Sequence, residues 1–147
     1  MILVSACLAG FPCRYDGKAK ACETIVELVK AGEAIPVCPE QLGGLPTPRP
    51  PCEIKAGRVV DTQGVDRTEA YGRGAQAVLA LARTYGATQA LLQKRSPSCG
   101  SGWIYDGTFS KKLVQGDGIT ARLLAENGIQ VIGIEYQEVL WRTTPFS

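Results

Sequence analysis

Six cysteines and the absence of histidine define the chemistry available to this chain of 147 residues. Without an imidazole, a Ser-His-Asp triad, a Cys-His dyad and a Cys2His2 zinc site are all excluded. Acid–base work must therefore fall to carboxylates, hydroxyls, Lys, Tyr or Cys. The thiols are candidate metal ligands or nucleophiles.

Three of the cysteines come just after apolar runs of strand length. They are Cys7, Cys38 and Cys99, and the segments around them are rich in Gly, Pro and Ser, which expose backbone N–H groups. Because ligands of open α/β sheets bind beyond the carboxyl ends of the strands, the three thiols can converge on one crevice. Cys13, six residues after Cys7, is a rival for a place in the same site.

The spacing of the thiols narrows the kind of metal site. The chain contains no Cys-x-x-Cys, which disfavours zinc ribbons, thioredoxin-like redox pairs and the clustered ferredoxin pattern. Dispersed thiolates without histidine favour an iron–sulfur cluster, with a zinc ion that keeps one open position as the alternative. Cys22 lies on the apolar face of a predicted helix and is expected in the core, whereas the role of Cys52 stays open.

The elements that must position these residues alternate between strand and helix patterns. Four apolar runs lack strict alternation, as is typical of strands covered on both faces: Ile2–Ala6, Ala34–Val37, Thr88–Leu92 and Ile129–Ile134. Three segments between them have helical spacing: Ala21–Lys30, Thr68–Tyr85 and Ile119–Glu126. Two hairpins are predicted, Glu53–Asp61 with Ala56-Gly57 at its turn and Trp103–Ser110 with Asp106-Gly107 at its turn.

This alternation predicts an α/β fold. We expect a Rossmann-like three-layer sandwich with a mostly parallel sheet of about four strands, decorated by two short hairpins. A chain of this length suits one domain, because it can bury roughly 68–70% of its unfolded surface, and we expect a single domain over residues 1–147.

Charge and hydropathy exclude several partners. The net charge of +2 comes without any basic run longer than two residues, so no footprint for a nucleic acid is visible. No stretch approaches the ~20 apolar residues of a membrane span, and the opening residues lack the positive region of a signal peptide. We expect a cytoplasmic protein with a small-molecule partner, since free thiols are the rule in that reducing compartment.

Several short motifs, in this order, resemble those of the DUF523 family, whose characterised members are thiouracil desulfidases. The likeness runs from about residue 4 to about residue 135. The motifs are Val4-Ser-Ala-Cys-Leu, Cys13-Arg-Tyr-Asp-Gly17, Cys38-Pro-Glu-x-x-Gly-Gly-Leu45, Pro48-Arg-Pro-Pro51, Ser96-Pro-Ser-Cys-Gly100, Ile104-Tyr-Asp-Gly107 and Gly118-Ile-Thr-Ala121.

The resemblance implies a [4Fe-4S] cluster held by three cysteines, whose open iron takes the sulfur of a thiolated pyrimidine while water replaces that sulfur. The products would be uracil and sulfide. Carried over by motif, the ligands are Cys7, Cys38 and Cys99, the catalytic acid/base is Glu40, and Ser96 is a hydrogen-bond or proton partner.

Four further residues are candidates for contact with substrate: Arg14, Tyr15, Arg49 and Ser98. Two other functions remain open from the residues alone. One is a metal-independent sulfurtransferase that uses a single thiol as nucleophile, and the other is a nucleobase-binding module with a structural zinc.

Overall fold

The computed structural model describes residues 1–135. A 3-10 helix at Ala6–Ala9 follows the first strand. In chain order the other elements are β1 (Ile2–Ser5), α1 (Glu23–Lys30), β2 (Ala34–Val37), α2 (Pro39–Leu42), β3 (Cys52–Lys55), β4 (Arg58–Asp61), α3 (Thr68–Tyr85), β5 (Gln89–Gln93), β6 (Trp103–Tyr105), β7 (Leu113–Gln115), α4 (Ile119–Glu126) and β8 (Gln130–Ile134).

The central sheet has four strands in the order β2-β1-β5-β8, and all its pairs are parallel. This confirms the predicted parallel sheet and the positions of its strands. The chain moves from β1 outward to β2 and then crosses back to β5, so the strand order reverses between β1 and β5. In open α/β sheets such a reversal leaves a crevice at the carboxyl ends of the strands.

Helices cover both faces of the sheet, which makes the predicted three layers. Leu3 and Leu92 pack with α3 and α4 on one face. Val4 and Leu91 pack on the opposite face against α1 and the 3-10 helix. Since neighbouring residues of each central strand face different helices and both are buried, the strands show no polar alternation.

The first predicted hairpin is confirmed, because β3 and β4 pair antiparallel with Lys55 opposite Arg58. Ala56 and Gly57 form the turn with φ of 50° and 77°, the left-handed geometry that two-residue hairpin turns need.

The second predicted hairpin is wrong in its turn. β6 pairs with β7, with Tyr105 opposite Leu113, so residues 106–112 form a loop in place of a two-residue turn. The Asp106 carboxylate accepts hydrogen bonds from the backbone and hydroxyl of Thr108. The backbone N–H of Gly107 donates instead to the distant Glu53 carboxylate. These contacts stabilise a longer loop, which a local Asp-Gly signal does not reveal.

Among residues 1–135, none of the helices is both long enough and apolar enough to cross a membrane.

Candidate active site

A cavity of about 480 Å³ lies at the carboxyl end of the sheet, where the strand order reverses. Its lining includes the three thiols that follow β1, β2 and β5, namely Cys7, Cys38 and Cys99. Cys7 is in the 3-10 helix, Cys38 immediately precedes α2, and Cys99 lies in the tight turn after β5. The sheet therefore brings together three residues that are far apart in sequence.

The rival thiol Cys13 lies in the same cavity. Cys38 Sγ is 3.7 Å from the Cys13 carbonyl oxygen, and the side chain of Cys13 is hydrogen-bonded with those of Cys38 and Cys7. The bond with Cys38 lowers the pKa of Cys13, but the bond with Cys7, burial and nearby charges together raise it to about 11. Hydrogen bonding with Cys13, burial and Glu40 likewise raise the pKa of Cys38.

Cys99 lies deeper, with 4% of its surface exposed. Burial and the neighbouring Glu40 raise the pKa of this thiol to about 12, although hydrogen bonds with Ser5 and Ser98 oppose the shift. Ser5, at the end of β1, also accepts a hydrogen bond of 2.8 Å from the backbone N–H of Gln93 at the end of β5. This contact ties the two strand ends together beside the thiol.

The donor set fits a soft metal centre. All six cysteines are free thiols, and the chain has no histidine that could act as a ligand beside them. Within residues 1–135, no three His, Cys, Asp or Glu side chains are grouped closely enough to hold a single metal ion. A cubane cluster presents a separate iron to each thiolate, so its ligands need not meet at one ion, and dispersed thiols suit it.

Glu40 lies beside these thiols in the first turn of α2. One carboxylate oxygen accepts a hydrogen bond of 2.8 Å from the Ser98 hydroxyl. The other is 3.6 Å from Cys38 Sγ and 3.8 Å from Nη2 of Arg49. The Glu40 and Arg49 side chains are only 13% and 6% exposed, so the guanidinium compensates a carboxylate charge that is largely shielded from water.

Helix α2 was not among the predicted elements. It packs closely against α3, with a glycine at each side of the contact. A Cβ on Gly74 of α3 would lie 1.9 Å from the Pro39 carbonyl oxygen. A Cβ on Gly43 would lie 2.0 Å from the Ala70 carbonyl oxygen. Only glycine permits this contact, which places Glu40 against the long helix of the fold.

Two serines extend from Glu40 along the turn that carries Cys99. Ser96 Oγ accepts hydrogen bonds from the backbone N–H groups of Ser98 and Cys99, at 3.1 and 3.0 Å. The two serine hydroxyls are 2.9 Å apart. Because the Ser98 proton points to Glu40, the Ser96 hydroxyl donates to Ser98. A chain of hydroxyls thus leads from Ser96, which lines the cavity, to the carboxylate.

Ser98, a predicted substrate contact, is fully buried and lies outside the cavity lining. Its hydroxyl donates a hydrogen bond to Glu40, which does line the cavity. Arg49 does line the cavity, and its guanidinium also donates to the carbonyl oxygens of Cys13 and Pro46 and to the Thr47 hydroxyl.

Arg14 and Tyr15 lie at the exposed side of the cavity lining. The Arg14 guanidinium is 5.9 Å from the centre of the Tyr15 ring and 4.0 Å from the Asp16 carboxylate. The Tyr15 carbonyl accepts a hydrogen bond of 2.8 Å from the backbone N–H of Arg49. This bond connects the loop of Arg14 and Tyr15 to the residue that forms an ion pair with Glu40.

Several lining residues were not predicted. Tyr71 is 3% exposed, and its hydroxyl is hydrogen-bonded with the Cys52 thiol. Its burial, and to a smaller extent the charge of Glu40, raise the pKa of Tyr71. Its helical spacing correctly indicated a buried face of α3, but no local signal shows that this face reaches a cavity. Glu53, Phe109 and Lys111 also line it, from the β3 strand and the loop after β6.

Comparisons with known proteins agree on one family. The model of the 2-thiouracil desulfurase family matches residues 2–135. The protein YbbK of Bacillus subtilis is 47% identical over 142 residues, which cover 90% of this chain and 94% of that protein. A solved structure of the [4Fe-4S]-dependent thiouracil desulfidase TudS (DUF523Vcz) is 47% identical with a TM-score of 0.86, covering 90% of this chain and 89% of that one. The chain belongs to the 2-thiouracil desulfurase family.

Proposed function

We propose that this chain is a [4Fe-4S]-dependent desulfidase that converts thiouracil-type pyrimidines to uracil and sulfide, and that it acts as one domain in the cytoplasm. The observation that carries the proposal is the position of Glu40, which lies among three strand-end thiols in one cavity and contacts Ser98, Cys38 and Arg49. Family membership and the likeness to TudS support the same reaction.

Cys7, Cys38 and Cys99 would hold the cluster, because each follows a different strand and all three line the cavity. Cys13 is the competing ligand, since its thiol is hydrogen-bonded with two of the three. When bound, the cluster would supply a Lewis-acidic iron for the substrate's sulfur and make the thiocarbonyl carbon more electrophilic.

Glu40 would act as the acid/base. Its carboxylate accepts a proton from water while the water oxygen forms a bond to the thiocarbonyl carbon. The C–S bond then breaks, and Glu40 gives the proton to the departing sulfur, which leaves as sulfide. No electron is gained or lost, since an oxygen from water simply replaces the sulfur on the ring.

Ser96 would exchange protons with Glu40 through Ser98. The two hydroxyls are 2.9 Å apart and Ser98 is 2.8 Å from the carboxylate, which are ordinary distances for O–H···O bonds. Because Ser98 is fully buried, we assign it to the orientation of Glu40 rather than to contact with substrate.

Arg14, Tyr15 and Arg49 are our candidates for contact with the pyrimidine, since all three line the cavity. Arg49 can offer an N–H to a ring carbonyl because its guanidinium has five donors. Arg14 and Tyr15 stand nearer the solvent and would contact the outer edge of the ring.

The iron and acid-labile sulfide content of protein purified without oxygen tests the proposal, together with uracil release from 4-thiouracil. About four iron and four sulfide per chain are expected in the wild type, lost in Cys38→Ala and kept in Cys22→Ala. Cys22 is a fully buried thiol outside the cavity lining, which makes it a matched control. Bound zinc without turnover would favour a binding module, and metal-free sulfur transfer would favour a sulfurtransferase.

A further inference from the structure

The loop of residues 106–112 is fastened to one buried carboxylate. Glu53 is 9% exposed, and its Oε1 accepts hydrogen bonds of 3.0 Å from the backbone N–H groups of both Gly107 and Phe109. Backbone donors from a loop thus satisfy a carboxylate that lines the cavity. Hydrogen bonds to charged groups are the stronger kind, so this contact strongly constrains the loop.

The same loop holds two non-glycine residues in the left-handed region. Phe109 has φ of 57° and Lys111 has φ of 63°, and both line the cavity. Such residues persist only where the surroundings fix them, and they concentrate at functional sites. Here Glu53 holds the backbone of Phe109, and Gly107 packs so tightly that a Cβ would be 2.7 Å from that of Lys55.

Phe109 differs from Tyr71 and Tyr15, two other aromatic residues of the cavity lining. Tyr71 is buried and its hydroxyl is paired with Cys52, while the ring of Tyr15 lies beneath the Arg14 guanidinium. Phe109 is 36% exposed, and among the described residues its ring makes no aromatic or cation–π contact. It is thus an apolar ring held at the cavity by a strained backbone.

We propose that Phe109 is the aromatic platform on which the flat pyrimidine ring stacks, and that Glu53 is the positioning residue that holds this platform in place. The inference rests on the proposed function and adds a determinant of substrate choice. Stacking accepts any flat, conjugated heterocycle of suitable size, whereas hydrogen-bonding side chains recognise the donor and acceptor groups at the edge of the ring.

Kinetics of 4-thiouracil conversion by the reconstituted holoenzyme test the platform. Phe109→Ala is expected to raise KM roughly 5- to 100-fold, the range that loss of one base–aromatic stack gives. Its kcat is expected to stay within about threefold, because stacking is equal in the ground and transition states. Phe109→Trp should keep KM near the wild-type value. Phe11→Ala is the matched control, since Phe11 is 48% exposed and lies outside the cavity lining.

Variants of Glu53 test its positioning role. Glu53→Gln keeps an oxygen that can accept both loop N–H groups, so its KM should stay near the wild-type value. Glu53→Ala should raise KM as Phe109→Ala does, and the double variant should be no worse than either single one. Iron content and circular dichroism identify any variant that has lost its fold or its cluster.

The outcomes separate the two proposals. Absence of turnover in the wild type overturns the proposed function and this inference with it. Turnover in the wild type with an unchanged KM in Phe109→Ala overturns the stacking platform alone. Additive effects of Phe109→Ala and Glu53→Ala on KM would overturn the positioning role of Glu53.

Discussion

The Ser98 hydroxyl donates a hydrogen bond of 2.8 Å to Glu40 Oε1 across 58 residues of sequence. Ser98 belongs to the turn after β5 and Glu40 to the helix after β2, so this bond joins the ends of two strands that are separated in the sheet by β1. The orientation of the proposed acid/base therefore depends on the turn that carries Cys99.

Removal of each serine hydroxyl should have a different effect. Ser98→Ala is expected to lower kcat roughly 10-fold with normal iron content, because one hydrogen bond to a charged group is lost. Ser96→Ala removes the acceptor of the Ser98 and Cys99 backbone N–H groups, so iron content should fall as well as kcat. Iron analysis beside steady-state kinetics checks this, and normal iron in Ser96→Ala would contradict the structural part of its role.

Glu40→Gln should separate catalysis from cluster binding. The amide oxygen can still accept the Ser98 hydrogen bond, but it cannot take a proton from water, so kcat should fall by about 10²–10⁴-fold. Iron and sulfide content should match the wild type. Glu126→Gln is a suitable control, because Glu126 is exposed and, within residues 1–135, its carboxylate pairs with Arg122 of the same helix. Substantial turnover in Glu40→Gln would exclude Glu40 as the base.

The choice between Cys7 and Cys13 as ligands can be made by parallel substitution. We expect Cys7→Ala to lose the iron and Cys13→Ala to keep it, because Cys7 lies in the 3-10 helix at the end of a central strand and Cys13 lies in the loop beyond that helix. The charge-transfer absorbance of the cluster and the iron content provide the measurement. The reverse pattern would place Cys13 in the ligand set.

The contact between α2 and α3 should be intolerant of a single methyl group. Gly74→Ala places a Cβ on the Pro39 carbonyl, so we expect it to destabilise the protein by about 1–3 kcal/mol and to lower kcat by displacing Glu40. Gly72 lies in the same helix with nothing within 4 Å of its Cβ position. Gly72→Ala should therefore stabilise the protein by about 0.5–1 kcal/mol. Unfolding in urea measures both, and equal stability of the two variants would refute the close contact.

The pH dependence of stability should include a contribution from Asp66 at the start of α3. Hydrogen bonds from Thr68 and the nearby Arg58 lower the pKa of Asp66 to about 2 from its usual 3.8. The folded state therefore favours the carboxylate, and this stabilisation is present above pH 3.8 and is lost as the pH falls through about 2.

Asp66→Asn removes the charge and keeps an oxygen for the backbone N–H of Thr68. Its melting temperature should be lower than that of the wild type at pH 7, and the difference should shrink between pH 4 and pH 2. Thermal unfolding at several pH values checks this. A difference that stays constant down to pH 2 would show that ionisation of Asp66 is not its cause.

Much of the fold could be predicted from local patterns. Apolar runs without alternation indicated strands covered on both faces, and the helical spacing of α3 indicated its buried side, because both depend on periodicities of a few residues. The ends of the elements were less accurate. The first helix begins at Glu23 rather than Ala21, since the backbone N–H groups of Lys20 and Cys22 donate to the distant 3-10 helix at Ala6–Ala9.

The positions of Cys7, Cys38 and Cys99 after three of the central strands follow from the sequence by itself, and so do the motifs that indicate the family. A parallel sheet brings its carboxyl ends to one edge, so strand-end residues meet whatever the details of packing. Only the tertiary structure decided that Cys13 joins the thiols, that Ser98 stands behind Glu40, and that residues 106–112 form a loop held by Glu53. These contacts join residues widely separated in sequence, and they depend on how loops pack across the cavity, which no local periodicity encodes.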